Sequence, residues 1–314
     1  MKMKYRPYIY GDTAVSVIGF GAWQLGVNSG WKKVSEKDAL NLVHKAMDLG
    51  VNFFDTAPVY GNGTSELRLG KAFKGKDRTK LVINSKFGRS DTGVVDFSAS
   101  LIRPTIEGSL KRLGVDYIDS VIMHSPPFSL LDGNANDHYE IFEALKKEGK
   151  IKAYGASIDT FEEIKLLLDT TGAEIIHLFY NILHQGGLKA ADLIAEKKVG
   201  TVAKIPLDSG WLTGKYHKNS VFEGVRNRWS KEEIHVRASL IEKIKNLVGT
   251  EKPLATVALA FCLANDTIAS VIPGSLTEKQ LVENVKSNVS LSKNLVTMLQ
   301  KFYADEVVPH KLPW

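Results

Sequence analysis

The chain has 314 residues, 44% of them hydrophobic and 24% charged, with a formal net charge of +6. That composition belongs to a folded chain with a large core, and no low-complexity tract or internal repeat interrupts it. No basic run interleaves with aromatics, which argues against a nucleic-acid binder, and no stretch reaches the roughly 18 apolar residues of a membrane span.

The N-terminal Met1-Lys2-Met3-Lys4-Tyr5-Arg6 is basic but carries no apolar run long enough for a signal peptide, so a cytoplasmic location is expected. Residues 6–18 predict a hairpin turning around Gly11-Asp12. Strand-like runs then fall near 17–21, 51–55, 81–86, 118–124, 151–157, 175–179, 200–205 and 268–273. Helical patterns fall near 35–49, 65–73, 103–113, 138–147, 161–168, 188–198, 254–264 and 278–288. Ser35 is a suitable N-cap for the first helix and Gly50 a suitable stop. Eight strands alternating with helices predict a parallel sheet with helical crossovers. A doubly wound sheet would need a GxGxxG turn after its first strand. Gly19-Phe20-Gly21-Ala22-Trp23 lacks the third glycine and the following helix. The pattern therefore favours an α/β chain folded as one (β/α)8 TIM barrel over residues 1–314. Helices at 234–247 and 292–304 look like additions to it. Three excursions, at 125–137, 206–233 and 305–314, are long enough to be functional. The single Cys262 sits in an apolar helical pattern and reads as a buried, inert thiol.

Three successive strand ends carry one polar group each. Val51-Asn52-Phe53-Phe54 ends in Asp55, with Tyr60 five residues later; Leu81-Val82-Ile83-Asn84-Ser85 ends in Lys86; Ile118 to Met123 ends in His124. In a parallel barrel these ends converge on the catalytic face. Free tyrosine has a pKa of about 10 and is a weak acid near neutrality. An ammonium beside it should lower that value, and an aspartate would hold the ammonium. A histidine donor could steady the oxygen that takes the proton. The set suits proton donation to a carbonyl. Each residue alone would be bland: a strand-end cap, a loop aromatic, a snorkelling lysine, a core imidazole. The eight histidines form no HxxxH or HExxH pair and there is no cysteine cluster, so no metal is expected.

The motifs DTAPVYG (55–61), SKFG (85–88) and MHSPP (123–127) resemble the aldo-keto reductase superfamily. GFGAWQLG (19–26), the run from Ser109 to Asp119, and IPGSLTEKQLVEN (272–284) resemble it in the same order, so the likeness spans essentially the whole chain. It implies a (β/α)8 barrel with a hairpin closing its bottom, a nicotinamide cofactor and reduction of aldehydes or ketones. It also implies Asp55, Tyr60, Lys86 and His124 as the catalytic four.

The same resemblance implies a cofactor groove. Ala22 and Trp23 would lie beside it, and Ser157 and His177 would read the carboxamide, although the family often has asparagine at Ile158 and glutamine at His177. Lys204 stands where a tyrosine commonly stacks on the nicotinamide. Near the ring its charge would repel the oxidised form; alternatively it pairs with a carboxylate such as Asp208. Pro206, Leu207, Ser209, Gly210, Leu212, Gly214 and Lys215 resemble the pyrophosphate loop, with Arg226 and Arg228 as weaker additions. Pro273-Gly274-Ser275 is expected to open a helix toward phosphate. Lys279, Gln280, Glu283 and Asn284 would meet the adenosine half. No arginine lies between Ser275 and Asn284, so NADP is expected with NAD as the alternative. Trp23, Val59, Ser125 and Trp314 are the expected substrate contacts. The expected partner is a small-molecule carbonyl compound, sugar-derived ones included; nucleic acid and membrane are not expected, and the sequence leaves the oligomeric state open. A cofactor-binding regulatory subunit with little turnover is the alternative.

Overall fold

The computed structural model describes residues 2–26 and 34–312. Two antiparallel strands come first, β1 (Tyr5–Ile9) and β2 (Thr13–Ser16), and Gly11 turns between them at φ 83°. A residue without Cβ takes that conformation at little cost.

The main alternation runs β3 (Phe20–Gly21), α1 (Trp23–Gly26), α2 (Glu36–Asp48), β4 (Phe53–Asp55), α3 (Thr64–Phe73), β5 (Val82–Phe87) and α4 (Ile102–Leu113). It continues with β6 (Ile118–Met123), α5 (His138–Lys147), β7 (Ile151–Ser157), α6 (Phe161–Thr170), β8 (Ile175–Phe179) and α7 (Ala191–Glu196). Then come β9 (Gly200–Lys204), α8 (Lys231–Val248), α9 (Leu254–Leu263), β10 (Ile268–Val271), α10 (Glu278–Lys286) and α11 (Lys293–Phe302). Strands β3 to β10 pair in sequence order, all parallel. Bridges from Ile18 to Val271 and from Gly21 to Gly274 join the first strand to the last. The sheet thus curls into the expected (β/α)8 barrel.

Local chemistry explains the element ends. Ser35 Oγ accepts from Asp38 N at 3.1 Å and caps α2, as its sequence position predicts. The pattern at 188–198 resolves differently: Gly186–Ala190 is a 3-10 turn and only Ala191–Glu196 is α-helical. Helix α9 is apolar nearly all round because it is buried nearly all round, Cys262 included. Among the described residues no helix is long and apolar enough to cross a membrane.

Side chains alternate across each strand, so every second residue points into the barrel. The lower interior is mostly apolar: Phe53, Val82, Ile122, Ala153, Ile175 and Val202 pack there with Tyr8, Ile9 and Val15 of the hairpin, and Ser120 is buried among them. The hairpin plugs this end closely. A Cβ on Gly200 would come within 2.0 Å of the Tyr8 carbonyl oxygen. Two residues further along β4, β5, β8 and β9 the alternation brings up Asp55, Asn84, His177 and Lys204.

Candidate active site

Asp55 ends β4 and is buried; its Oδ1 accepts from Lys86 Nζ at 2.7 Å. The same ammonium donates to the Thr56 carbonyl oxygen at 2.7 Å and sits 4.9 Å from the centre of the Tyr60 ring. The His124 ring meets Tyr60 edge-on with centroids 6.0 Å apart. The four residues singled out in the sequence therefore converge at one mouth of the barrel.

The Tyr60 loop is held by backbone contact. A Cβ on Gly26 would stand 2.1 Å from the Tyr60 carbonyl oxygen, and one on Gly61 would stand 2.1 Å from that of Gly26. Both glycines are required by this approach, which explains the last residue of GFGAWQLG. Ser65 Oγ donates to Ala22 O at 2.8 Å and shares a 2.9 Å hydrogen bond with Thr56, so α3 also braces the loop.

Electrostatics at the site differ from the sequence expectation in one respect. Burial raises the Tyr60 hydroxyl above its ordinary pKa; Lys86 pulls it down but does not win, and Asp55 pushes it up. Lys86 makes Tyr60 less resistant to giving up its proton without making it anionic. Burial alone would lower the Lys86 ammonium, but Asp55 and Tyr60 outweigh it and the net shift is upward. His124 is pushed well below its usual value, first by burial and then by Lys86, Arg89 and Lys204. It is a neutral donor near pH 7, and its buried Nδ1 has no hydrogen-bond partner.

Arg89 was not foreseen, though it directly follows SKFG. Its Nε donates to the His124 carbonyl oxygen at 3.2 Å, and its charge acts on both His124 and Tyr60. His177 is also more buried than a groove residue would be. It is 1% exposed, packs edge-on against Phe53 at 6.5 Å, and its Nδ1 lies 3.6 Å from Asp55 Oδ1. Neither ring nitrogen makes a hydrogen bond.

Lys204 pairs with a carboxylate, but not with Asp208. Its Nζ lies 2.9 Å from Asp159 Oδ1 and donates to Ser157 Oγ at 2.7 Å. Asp208 is instead buried against Arg237 at 2.5 Å, with His184 at 3.4 Å. Strand pairing explains the exchange: β7 and β9 flank β8, so the residue two beyond Ser157 is in reach of the end of β9.

The loop after β9 turns through left-handed backbone at Ile205, Asp208, Ser209, Gly210 and Gly214. Pro206 is buried, Leu207 half-buried, and Leu212 is fully buried in the core, so any groove contact from Leu212 is through its backbone. Lys215 is exposed and lies over the Tyr216 ring; Arg228 Nη2 donates to Ser209 Oγ at 3.2 Å. Arg226 bonds the Tyr216 hydroxyl. On the other flank, α10 starts at Glu278, where the sequence pattern begins, but its cap is Thr277 and Pro273-Gly274-Ser275 precedes it rather than opening it. Ser275 is buried and takes a 3.0 Å hydrogen bond from Asn284 Nδ2, while Lys279, Gln280 and Glu283 are exposed. Gln280 folds back to accept from Leu276 N at 2.8 Å. The Gln24 amide lies where a Cβ on Gly274 would be, and its Oε1 is buried without a partner. Val59 and Trp23 are half-buried near the mouth, and Ser125 is exposed at φ 56°. Trp314 lies outside the described residues. Among those, no cluster of histidine, cysteine and carboxylate side chains could hold a metal ion.

The mouth of the barrel thus carries a buried ammonium beneath a tyrosine, with a carboxylate and an imidazole beside them. Residues 17–304 match the aldo/keto reductase family, and the chain belongs to it. The chain is similar to L-galactose dehydrogenase of Arabidopsis thaliana, at 31% identity over 88% of this chain and 85% of the plant protein. It is 28% identical to NADH-specific methylglyoxal reductase of Escherichia coli, over 95% of this chain and 98% of the other. The solved holo form of an aldo-keto reductase from Bacillus halodurans superposes with a TM-score of 0.79 at 29% identity, covering 95% of this chain and 96% of that one. The family uses nicotinamide cofactors.

Proposed function

We propose that this protein is an NAD(P)H-dependent carbonyl reductase that converts aldehydes or ketones, sugar-derived ones included, to alcohols. The observation that carries the reading is Lys86, held by Asp55 at 2.7 Å and placed 4.9 Å from the Tyr60 ring centre. Kinship with a galactose dehydrogenase and a methylglyoxal reductase supports a small carbonyl or hydroxyl substrate.

The donor set along the groove fits a nicotinamide dinucleotide. Ser157 and Lys204 would meet the carboxamide end, the left-handed turn at Ser209-Gly210 would let backbone approach the pyrophosphate, and Ser275, Lys279 and Asn284 would meet the adenosine half. A bound nicotinamide supplies the hydride. Tyr60 then gives its proton to the carbonyl oxygen as negative charge builds on it. His124, neutral, donates a second hydrogen bond to that oxygen. Lys86 favours the phenolate left behind. With Lys279 as the candidate cation for the 2′-phosphate, NADPH is preferred modestly, by about 1–3 kcal/mol on the scale of a charged hydrogen bond.

The test is a panel of aldehydes, ketones and keto-sugars assayed with NADPH and NADH, with isothermal titration of both reduced cofactors. Turnover with NADPH binding the tighter is expected. Retention of cofactor without oxidation by any of the panel would overturn the reading in favour of a regulatory subunit.

A further inference from the structure

Below the catalytic ion pair a line of buried polar groups runs through the barrel to the hairpin. Asn84 Nδ2 donates to Asp55 Oδ1 at 2.8 Å, the oxygen that also takes Lys86 Nζ. Ser120 Oγ donates to Asn84 Oδ1 at 2.8 Å. The Tyr8 hydroxyl lies 2.7 Å from Ser120 Oγ. Tyr8, Ser120 and Asn84 are wholly buried.

A proton inventory fixes the direction of every bond. The Asp55 carboxylate only accepts, so Asn84 turns its NH2 toward it and its carbonyl toward Ser120. That carbonyl also only accepts, which commits the single Ser120 proton. Ser120 must then accept from Tyr8, and the Tyr8 hydroxyl is the donor. All three bonds point from the hairpin to Asp55. Hydrogen bonds arranged head to tail in a low-dielectric interior polarise and strengthen one another.

We propose that Tyr8, Ser120 and Asn84 are positioning residues, a directed hydrogen-bond chain that fixes the Asp55 carboxylate and through it the Lys86 ammonium under Tyr60. The inference rests on Tyr60 being the proton donor of the proposed reaction. Packing alone does not account for the chain. Its neighbours Phe53, Val82, Ile122 and Val202 fill the same interior with apolar atoms, and apolar groups of matching shape are nearly neutral replacements for a buried bonded pair. With Lys86 as its sole donor, Asp55 would keep freedom to turn about its last torsion. A second donor on the same oxygen removes it. The hairpin thereby acts on the chemistry from the far end of the barrel.

The groups facing Asp55 are Lys86 and Asn84 from β5, His177 from β8, Tyr60 from its own loop and Tyr8 from the hairpin. Arg89 and Lys204 add positive charge at His124, and Lys204 at His177 as well.

The experiment is a mutant cycle on carbonyl reduction: Tyr8→Phe, Asn84→Leu and the double variant, with kcat, KM and the alkaline limb of kcat measured for each. Asn84→Leu should lower kcat by about 10-fold with KM little changed, the scale of one charge-assisted hydrogen bond. Tyr8→Phe keeps the ring packed on Phe53 and should lower kcat by about 2- to 5-fold, since the lost donor acts through two intervening bonds. The double variant should be no slower than Asn84→Leu, because the chain is already cut. The alkaline limb, which reports Tyr60, should move to higher pH in each variant as Lys86 loosens. Unchanged kcat and limb in both folded single variants, or effects that multiply in the double variant, would overturn the chain. If Asn84→Leu does not fold, Ser120→Ala takes its place in the same cycle. Tyr60→Phe run alongside separates the two failures. If it is as active as wild type, the underlying reaction is misassigned. If it is inactive while the Tyr8 and Asn84 variants match wild type, only the positioning role is lost.

Discussion

In the proposed reaction Tyr60 is the acid: burial raises its pKa and keeps it protonated, and Lys86 favours the phenolate left once the proton has gone. Tyr60→Phe preserves the ring and its contact with His124 but removes that proton. Turnover should fall at least about 100-fold, the lower end of general acid catalysis, with cofactor affinity little changed. Stopped-flow measurement of hydride transfer decides it; a near wild-type rate would remove Tyr60 from the mechanism. Lys204 leads to a different expectation from the one its sequence position suggests. Its charge is partly offset by Asp159 at 2.9 Å, although it still acts on His124 and His177. Lys204→Met should alter affinity for both cofactor forms, because Ser157 loses its 2.7 Å donor. The ratio of oxidised to reduced dissociation constants should change by less than about 3-fold, since a paired charge acts weakly at a distance. A shift of 10-fold or more would mean that Lys204 acts as a free cation beside the ring.

At the scale of elements, the Tyr60 loop depends on α1 lying backbone to backbone against it. A methyl group on Gly26 meets the Tyr60 carbonyl oxygen at 2.1 Å, and backbone cannot step aside as a side chain can. Gly26→Ala should cost about 1–3 kcal/mol by overpacking and should lower kcat more than it raises KM, because Tyr60 moves with its carbonyl. Urea unfolding and steady-state kinetics check it together; wild-type values in both would show the contact to be slack. The strand-helix alternation, the barrel and the convergence of Asp55, Tyr60, Lys86 and His124 at one mouth were legible in the sequence because period, caps and strand-end polar residues are local signals. The partner of Lys204 was not, since Asp159 lies 45 residues away and reaches it only across the strand between. Nor was the cap of α10: its start at 278 was legible, but Thr277 rather than Ser275 caps it, by accepting from Gln280 N. The buried route from Tyr8 to Asp55 joins three strands and the hairpin, and only the closed barrel brings those residues into line.

For the whole molecule, the barrel mouth holds two neutral imidazoles whose cost appears as pH-dependent stability. Burial pushes both His124 and His177 well below the ordinary histidine pKa, and Lys86 and Lys204 push them further. An unfolded chain takes up protons at both as pH falls through about 6.5, while the folded chain does not. In that window the unfolded state binds more protons, so stability rises with pH and is lost as pH drops. Above about pH 7.5 neither state is protonated there and the two histidines add no slope. Urea unfolding at pH 5, 6, 7 and 8 should therefore show a falling midpoint on the acid side. His177→Gln removes one of the two sites while keeping a polar group of similar reach, so the slope between pH 5 and 6 should decrease by about one proton, or about 1.4 kcal/mol per pH unit. Because His177 is 1% exposed with both ring nitrogens unbonded, glutamine in its place also gains the freedom to donate to Asp55. If the slope in the variant equals that of wild type, His177 takes up its proton as readily folded as unfolded, and the acid lability lies with other groups.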